Sequence, residues 1–122
     1  MQTDRVAVGR EAERHAADEL RVRGYEIVER NYTCRGGEID IIARKGDTMV
    51  FAEVKARSTD EFGTAEEAVD ERKRRRIIKA AEKYLATHDT GCENFRFDVI
   101  VADICDGRYD IREIIEDAFY ES

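Results

Sequence analysis

The chemistry that the sequence suggests first rests on Asp40, which is followed by Glu53 and, two residues later, by Lys55. Both segments have the composition of β-strands, and Lys45-Gly46-Asp47 between them is typical of a hairpin turn. Two registers of this hairpin are open. One places Asp40 opposite Phe51 and diagonal to Glu53, and the other places it directly opposite Glu53. In both registers the two carboxylates and the ammonium share one side of the sheet, where direct neighbours lie about 5 Å apart at Cβ.

Two carboxylates at that separation repel each other unless a cation lies between them. Their oxygen atoms favour Mg²⁺ or Mn²⁺, with water and a substrate phosphate completing the coordination. Such an ion polarises the phosphate and lowers the pKa of the attacking water, while Lys55 would orient that water or stabilise the developing charge. The alternative is a set of solvated charges on an exposed sheet face, since 40% of the residues are charged. The apolar neighbours Ile42, Met49 and Phe51 favour a covered face, on which charges need partners.

A further acid stands out in the first predicted helix, which runs from Arg5 to Arg23 and ends at Gly24. The apolar stripe of this helix consists of Ala12, Ala16, Ala17 and Leu20. At about 100° per residue, Glu13 falls inside the stripe. A carboxylate on the core-facing side of a helix is costly unless it meets a metal or a cation. The alternative is that Glu13 reaches water at the rim of the stripe.

The second predicted helix, Ala65 to Thr87, carries a strongly basic run in its N-terminal half. The run consists of Arg72, Lys73, Arg74, Arg75 and Arg76. Lys73 and Arg74 project within the apolar arc of the helix, whereas Arg76 flanks it. We expect nucleic-acid phosphates to be contacted by Lys73 above all, with Arg74, Arg76 and the strand residue Arg57 as further candidates. The alternative is a solvated helix face whose cations pair with preceding acids such as Glu66 and Glu67 at i,i+4 spacing.

The elements that must position these residues follow the order α-β-β-β-α-β-β. Strands are predicted over residues 25–33, 38–44, 49–57, 95–104 and 109–115. The third strand is apolar on both faces, which is typical of the middle of a sheet covered by a helix on each side. Residues 1–122 form a single α/β domain in this interpretation, because the chain has one domain's length and no linker-like segment.

The composition narrows the class of protein. The formal net charge is −7, which argues against a general electrostatic grip on nucleic acid, so any such contact must be local. The three cysteines are odd in number and form no CxxC pair, which argues against a disulfide framework or a zinc site. We find neither a signal peptide nor an apolar run of the roughly 20 residues needed to span a membrane. The sequence therefore predicts a soluble, cytoplasmic protein with no membrane partner.

The two strings around Asp40 and Glu53 also carry a family resemblance. They read Gly36-Gly37-Glu38-Ile39-Asp40-Ile41-Ile42 and Phe51-Ala52-Glu53-Val54-Lys55-Ala56-Arg57. Together with them, the chain resembles the YraN-like family of small bacterial proteins, which is grouped by motif with PD-(D/E)XK nucleases and Holliday-junction-resolvase-like enzymes. Further points of similarity are Gly9, Glu13, Gly24-Tyr25, Asn31-Tyr32, Phe62-Gly63, Lys73, Arg96-Phe97-Asp98 and Ala118-Phe119.

The resemblance implies a restriction-endonuclease-like αβββαβ core with a Mg²⁺-dependent endonuclease site. In that site Asp40 and Glu53 would be metal ligands, Lys55 the catalytic lysine and Glu13 an accessory acid. The chain departs from the superfamily pattern in having Ile39, not proline, before Asp40. It also has Thr64-Ala65 where a proline is expected after Phe62-Gly63, which leaves the start of the second helix less sharply defined.

The function predicted in this way is hydrolysis of DNA, more than RNA, on branched or single-stranded substrates in repair or recombination. One alternative is a nucleic-acid-binding accessory protein that keeps the fold without the chemistry. Another is a phosphoester hydrolase acting on a small substrate. The interpretation is compatible with a homodimer, since resolvase-like relatives cut two symmetric strands, and with a protein partner that places so small a module on its substrate.

Overall fold

The structure is a computed structural model that describes residues 5–58 and 69–119 of the chain. In chain order the elements are α1 (Arg5–Val22), β1 (Glu26–Cys34), β2 (Gly37–Lys45), β3 (Thr48–Ser58), α2 (Glu71–Thr87), β4 (Asn94–Cys105) and β5 (Arg108–Phe119). The strands form one sheet in the order β1-β2-β3-β4-β5. Among the described strands, β3 and β4 pair in parallel and the other neighbours are antiparallel. The helix α2 lies on the connection from β3 to β4, as a parallel crossover requires. The predicted mixed sheet is confirmed.

Each helix covers one face of the sheet and forms its own core. On the α1 side the buried residues are Ala16, Ala17, Leu20, Tyr25, Ile41, Ala43, Val50, Ala52 and Ile100. On the α2 side they include Ile39, Ile42, Met49, Phe51, Ile77, Ala80, Ala81, Tyr84, Phe97, Val99 and Val101. The middle strand β3 therefore buries side chains on both faces, as its apolar composition predicts. This arrangement is consistent with a restriction-endonuclease-like core.

Most predicted element boundaries are correct to within one or two residues, and the exceptions are α2 and β5. The helix α2 begins at Glu71, with Asp70 as its N-cap accepting a 2.8 Å hydrogen bond from the Lys73 backbone N–H. The predicted start at Ala65 lies outside the described residues, while Val69 and Asp70 precede the helix. The strand β5 continues to Phe119, past the predicted end at Ile115.

An ion pair between Arg96 and Asp98 stabilises the end of the sheet that lies opposite the β4–β5 turn. The Arg96 Nε donates to Asp98 Oδ1 at 3.0 Å, and the Asp117 backbone N–H donates to the same oxygen at 3.0 Å. The Arg96 guanidinium also donates to the Tyr25 hydroxyl at 2.5 Å. The fully buried Asp98 thus ties β4 to β5 and to the chain leaving α1, so the Arg96-Phe97-Asp98 string has a structural role.

The composition also led to expectations about the cysteines and about membrane-spanning segments. Cys34, Cys92 and Cys105 are all free thiols. No helix in the described part of the chain is both long enough and apolar enough to cross a membrane.

Candidate metal centre

The candidate site is built where the strands β1, β2 and β3 part around Asp40. The β1–β2 ladder pairs Arg30 with Ile41 and Tyr32 with Ile39, but it skips the Asn31–Asp40 position between them. Asn31 has a φ of 54°, a left-handed conformation that asparagine tolerates better than most residues. The regular sheet is therefore interrupted on one side of Asp40.

On its other side, Asp40 faces β3. The β2–β3 pairing ends at Ile41 and Ala52, and the same register carried one step further sets Asp40 opposite Glu53. There the Val54 backbone N–H donates to Asp40 Oδ2 at 2.8 Å, so a side-chain carboxylate replaces a main-chain acceptor. The hairpin loop is Gly46-Asp47, between the pair Lys45 and Thr48. Of the two registers left open by the sequence, the one with Asp40 directly opposite Glu53 is correct.

Glu53 is the acid most strongly affected by this environment. Its side chain is only 6% exposed, and its Oε1 lies 2.8 Å from the Lys73 Nζ. Burial, followed by the charge of Asp40, raises the pKa of Glu53 to about 8 against the opposing hydrogen bond from Lys73. Burial likewise raises the pKa of Asp40, although the Val54 N–H favours its ionised form. Burial therefore disfavours the ionised form of both acids.

Glu13 approaches Asp40 from α1, with its side chain 13% exposed. Burial, followed by the charge of Asp40, raises the pKa of Glu13, while a hydrogen bond to Asn31 opposes the shift. Its Oε2 lies 3.9 Å from the Arg30 guanidinium, which is too long for a hydrogen bond. Of the two alternatives, Glu13 thus faces the other acids and does not reach out to water.

The donor atoms suit a hard divalent cation. Glu13 Oε2 and Glu53 Oε2 are buried carboxylate oxygens with no hydrogen-bond partner, and an orphaned buried acceptor is costly. Two such oxygens near Asp40 are ligands of the kind that Mg²⁺ and Mn²⁺ prefer. The described residues, 5–58 and 69–119, nevertheless contain no complete group of three acidic, histidine or cysteine ligands in metal-holding geometry. The Lys73 ammonium is bonded to one of the Glu53 oxygens.

The strand residues predicted beside the acids lie on the expected face of β3. In the parallel register Glu53, Lys55 and Arg57 pair with Val99, Val101 and Asp103 of β4, and Val99 and Val101 pack in the α2-side core. Lys55 is half-buried. Arg57 is only 5% exposed, so a contact from its guanidinium to substrate requires that it become accessible.

The basic side chains of α2 differ in what they contact. Lys73 joins the acid cluster through Glu53, a contact that the sequence did not predict, although Lys73 was placed within the apolar arc of the helix. Arg74 donates to the Val69 carbonyl at 2.9 Å and lies over the Phe119 ring at 5.7 Å. Arg76 is half-exposed, and Glu66 and Glu67 of the alternative interpretation lie outside the described residues. The structure brings together Asp40, Glu53, Glu13 and Lys73, the last as a carboxylate partner.

A helix-covered mixed sheet with an acidic cluster where its strands part defines a small α/β protein with a buried polar site. The chain belongs to the uncharacterised protein family UPF0102, whose profile matches residues 12–102. The predicted YraN-like membership is thereby confirmed, and the matched region contains all the residues of the cluster.

Similar proteins of this family come from diverse bacteria. A UPF0102 protein of Syntrophus aciditrophicus is 45% identical over 117 residues, covering 96% of this chain and 91% of the relative. One from Hahella chejuensis is 48% identical over 99 residues, covering 81% of this chain and 80% of the relative. One from Alkaliphilus oremlandii is 42% identical over 114 residues and covers 92% and 97% of the two chains. The relatives thus have about the length of this chain.

Proposed function

We propose that this protein is a metal-dependent nuclease that hydrolyses phosphodiester bonds, with DNA as its substrate in preference to RNA. The observation that carries the proposal is the convergence of Asp40, Glu53 and Glu13 where β2 and β3 part, with two buried carboxylate oxygens left without a hydrogen-bond donor. Burying this many acids is costly in a small domain, and a divalent cation would offset that cost. A role on branched or single-stranded DNA rests on the family resemblance alone.

Each residue of the cluster has a distinct task in the proposed reaction. Asp40, Glu53 and Glu13 would hold Mg²⁺ or Mn²⁺. The bound ion would polarise the scissile phosphate and acidify a water molecule. Lys55, on the same strand face as Glu53, would orient that water or stabilise the charge that develops on the phosphate. Lys73 and Arg76 would contact flanking phosphates, with Arg57 and Arg74 as further candidates.

A non-catalytic nucleic-acid-binding protein is the second candidate. Two observations favour it: the described residues contain no complete metal-ligand group, and the net charge of −7 opposes a stable grip on DNA without a partner. In that case the acidic cluster would have a structural role only, with Lys73 as the cation that pairs with Glu53.

The test compares wild-type protein with near-isosteric variants on linear duplex, single-stranded and four-way-junction DNA in Mg²⁺. We expect Asp40→Asn and Glu53→Gln to lower the cleavage rate at least about a hundredfold, because each removes a ligand charge. Lys55→Met should lower it by about 10²–10⁴, the usual contribution of one general acid–base or electrostatic group. Arg75→Gln is the matched control, since Arg75 is exposed and pairs at 3.9 Å with Glu71, which is itself exposed.

The two candidates give different results in this assay. Cleavage by wild type that is lost in the three site variants but kept in Arg75→Gln supports the nuclease. If wild type binds DNA but cuts none of the substrates with either Mg²⁺ or Mn²⁺, and the site variants bind as well as wild type, the accessory protein is the correct assignment.

A further inference from the structure

Lys73 makes a contact that the proposed reaction does not by itself explain. Its Nζ lies 2.8 Å from Glu53 Oε1, and the carboxylate is 6% exposed whereas the lysine side chain is 43% exposed. The lysine backbone is fixed, because its N–H is bonded to the N-cap residue Asp70 in the first turn of α2. Only the flexible side chain can therefore move without moving the helix.

The neighbouring cations show that this contact is specific. Arg74 bonds to the Val69 carbonyl and covers the Phe119 ring, and Arg75 faces the exposed Glu71. The charge of Lys73 acts on both Glu53 and Asp40. Lys73 supplies a positive charge at the place where the two carboxylates meet.

The Lys73 ammonium and a divalent ion would both bind the carboxylate of Glu53. Both need an oxygen of its carboxylate, and two cations within a few ångströms of each other in a poorly hydrated site repel strongly. The ammonium is bonded to Oε1, so a Mg²⁺ ion held at about 2.1 Å by the unpartnered Oε2 would lie within a few ångströms of it.

We propose that Lys73 is an internal counterion that holds Glu53 in the metal-free protein and leaves it when Mg²⁺ binds. The freed ammonium, on a long and already half-exposed side chain, then becomes available to a substrate phosphate beside the metal. Metal loading and phosphate binding are coupled through this one residue. The inference rests on the metal site of the proposed function, and it concerns a positioning residue of that site.

Acylation of amines by an N-hydroxysuccinimide ester tests the proposal on the intact chain without a nuclease assay. The labelling rate of each lysine is measured by mass spectrometry of peptides, with and without Mg²⁺. Lys79 and Lys83 are internal controls, because both are exposed on the same helix. Glu53→Gln is the matched variant, since its amide cannot form the ion pair. Calorimetry on the same samples establishes whether wild type binds Mg²⁺.

In wild type, Lys73 should be labelled more slowly than Lys79, and Mg²⁺ should speed its labelling roughly tenfold, equivalent to about 1.4 kcal/mol. In Glu53→Gln, Lys73 should react quickly whether or not Mg²⁺ is present, while both controls stay unchanged throughout. Unchanged labelling of Lys73 at a Mg²⁺ concentration where calorimetry detects binding would overturn the counterion role and leave the metal site standing. Absence of binding by calorimetry would remove the metal site and the counterion role together.

Discussion

At the scale of single residues, the protonation of Glu53 links the site to the stability of the chain. Burial is the largest cause of its raised pKa, and the nearby charge of Asp40 acts in the same direction. Lys73 opposes both effects without cancelling them. An acid that is harder to ionise in the folded than in the unfolded protein makes the folded state bind more protons between the two pKa values.

The sign of the resulting pH dependence follows from that difference. The pKa of Glu53 rises from 4.5 in the unfolded chain to about 8, so the metal-free protein should lose stability as the pH rises from about 4.5 to 8. Each unit of pKa difference corresponds to about 1.4 kcal/mol, and Glu53→Gln should flatten the dependence, because an amide does not titrate. Urea unfolding in EDTA at a series of pH values measures this. A variant with the same pH profile as wild type would show that Glu53 is not the group responsible.

The residues of the site differ in how far the sequence could predict them. Asp40, Glu53 and Lys55 could be placed together because strand alternation and a short hairpin constrain both registers to the same face. Strict alternation is wrong at Asp40, since Ile39 and Ile42, three positions apart, both pack on the α2 side. The Lys73 contact could not be predicted, because it depends on how far α2 is rotated and shifted over β3.

At the scale of the elements, the approach of α2 to β2 depends on Gly37. A Cβ at Gly37 would lie 2.4 Å from the Arg76 carbonyl oxygen and 2.9 Å from the Ala80 backbone nitrogen. Both are backbone atoms of α2, which cannot yield as a flexible side chain does. The helix α2 therefore packs directly against the start of β2. We expect this contact to determine how far α2 lies from the sheet, and so whether the Lys73 side chain can contact Glu53.

We predict that Gly37→Ala destabilises the protein by roughly 1–3 kcal/mol, the usual cost of forcing extra volume into a packed contact. Gly9→Ala is the matched control. Nothing lies within 4 Å of a Cβ at Gly9, which is in the interior of α1, so this change should stabilise by about 0.5–1 kcal/mol. Urea unfolding compares the three proteins. Equal stability of both variants would mean that the close approach of α2 is not needed.

The elements themselves were largely predictable. The turns Gly46-Asp47 and Asp106-Gly107 both interrupt alternating apolar runs, and Gly46, Asp106 and Gly107 have the positive φ values that such tight turns favour. The start of α2 was harder to place, because 65–70 contains helix-forming Ala and Glu residues and lacks the proline that would mark a boundary. Asp70 ends that ambiguity by capping the helix at Glu71.

At the scale of the whole molecule, positive side chains are concentrated on one face of α2, although the net charge of the chain is −7. Arg72, Arg76, Lys79 and Lys83 fall within an arc of about 60° on α2, along roughly 16 Å of helix. All four are exposed or half-exposed. No salt bridge involves them within the described part of the chain, whereas cations on α1 such as Arg14 and Arg21 pair with Glu11 and Asp18. This α2 stripe is the surface on which a phosphate backbone would find uncompensated positive charge.

The α2 stripe gives a prediction about DNA binding that does not depend on catalysis. Arg76→Gln with Lys79→Gln should weaken binding to single-stranded DNA by roughly tenfold and reduce the slope of log K against log[salt] by about 1.4, because two phosphate contacts are lost. Arg14→Gln with Arg21→Gln removes the same two charges from the paired α1 surface and should change both quantities little. Fluorescence anisotropy with labelled DNA in EDTA, at several salt concentrations, measures affinity and slope together. If the two double variants weaken binding equally, DNA responds only to net charge, since both carry it from −7 to −9 (−7 − 2), and the stripe is an ordinary solvated helix face.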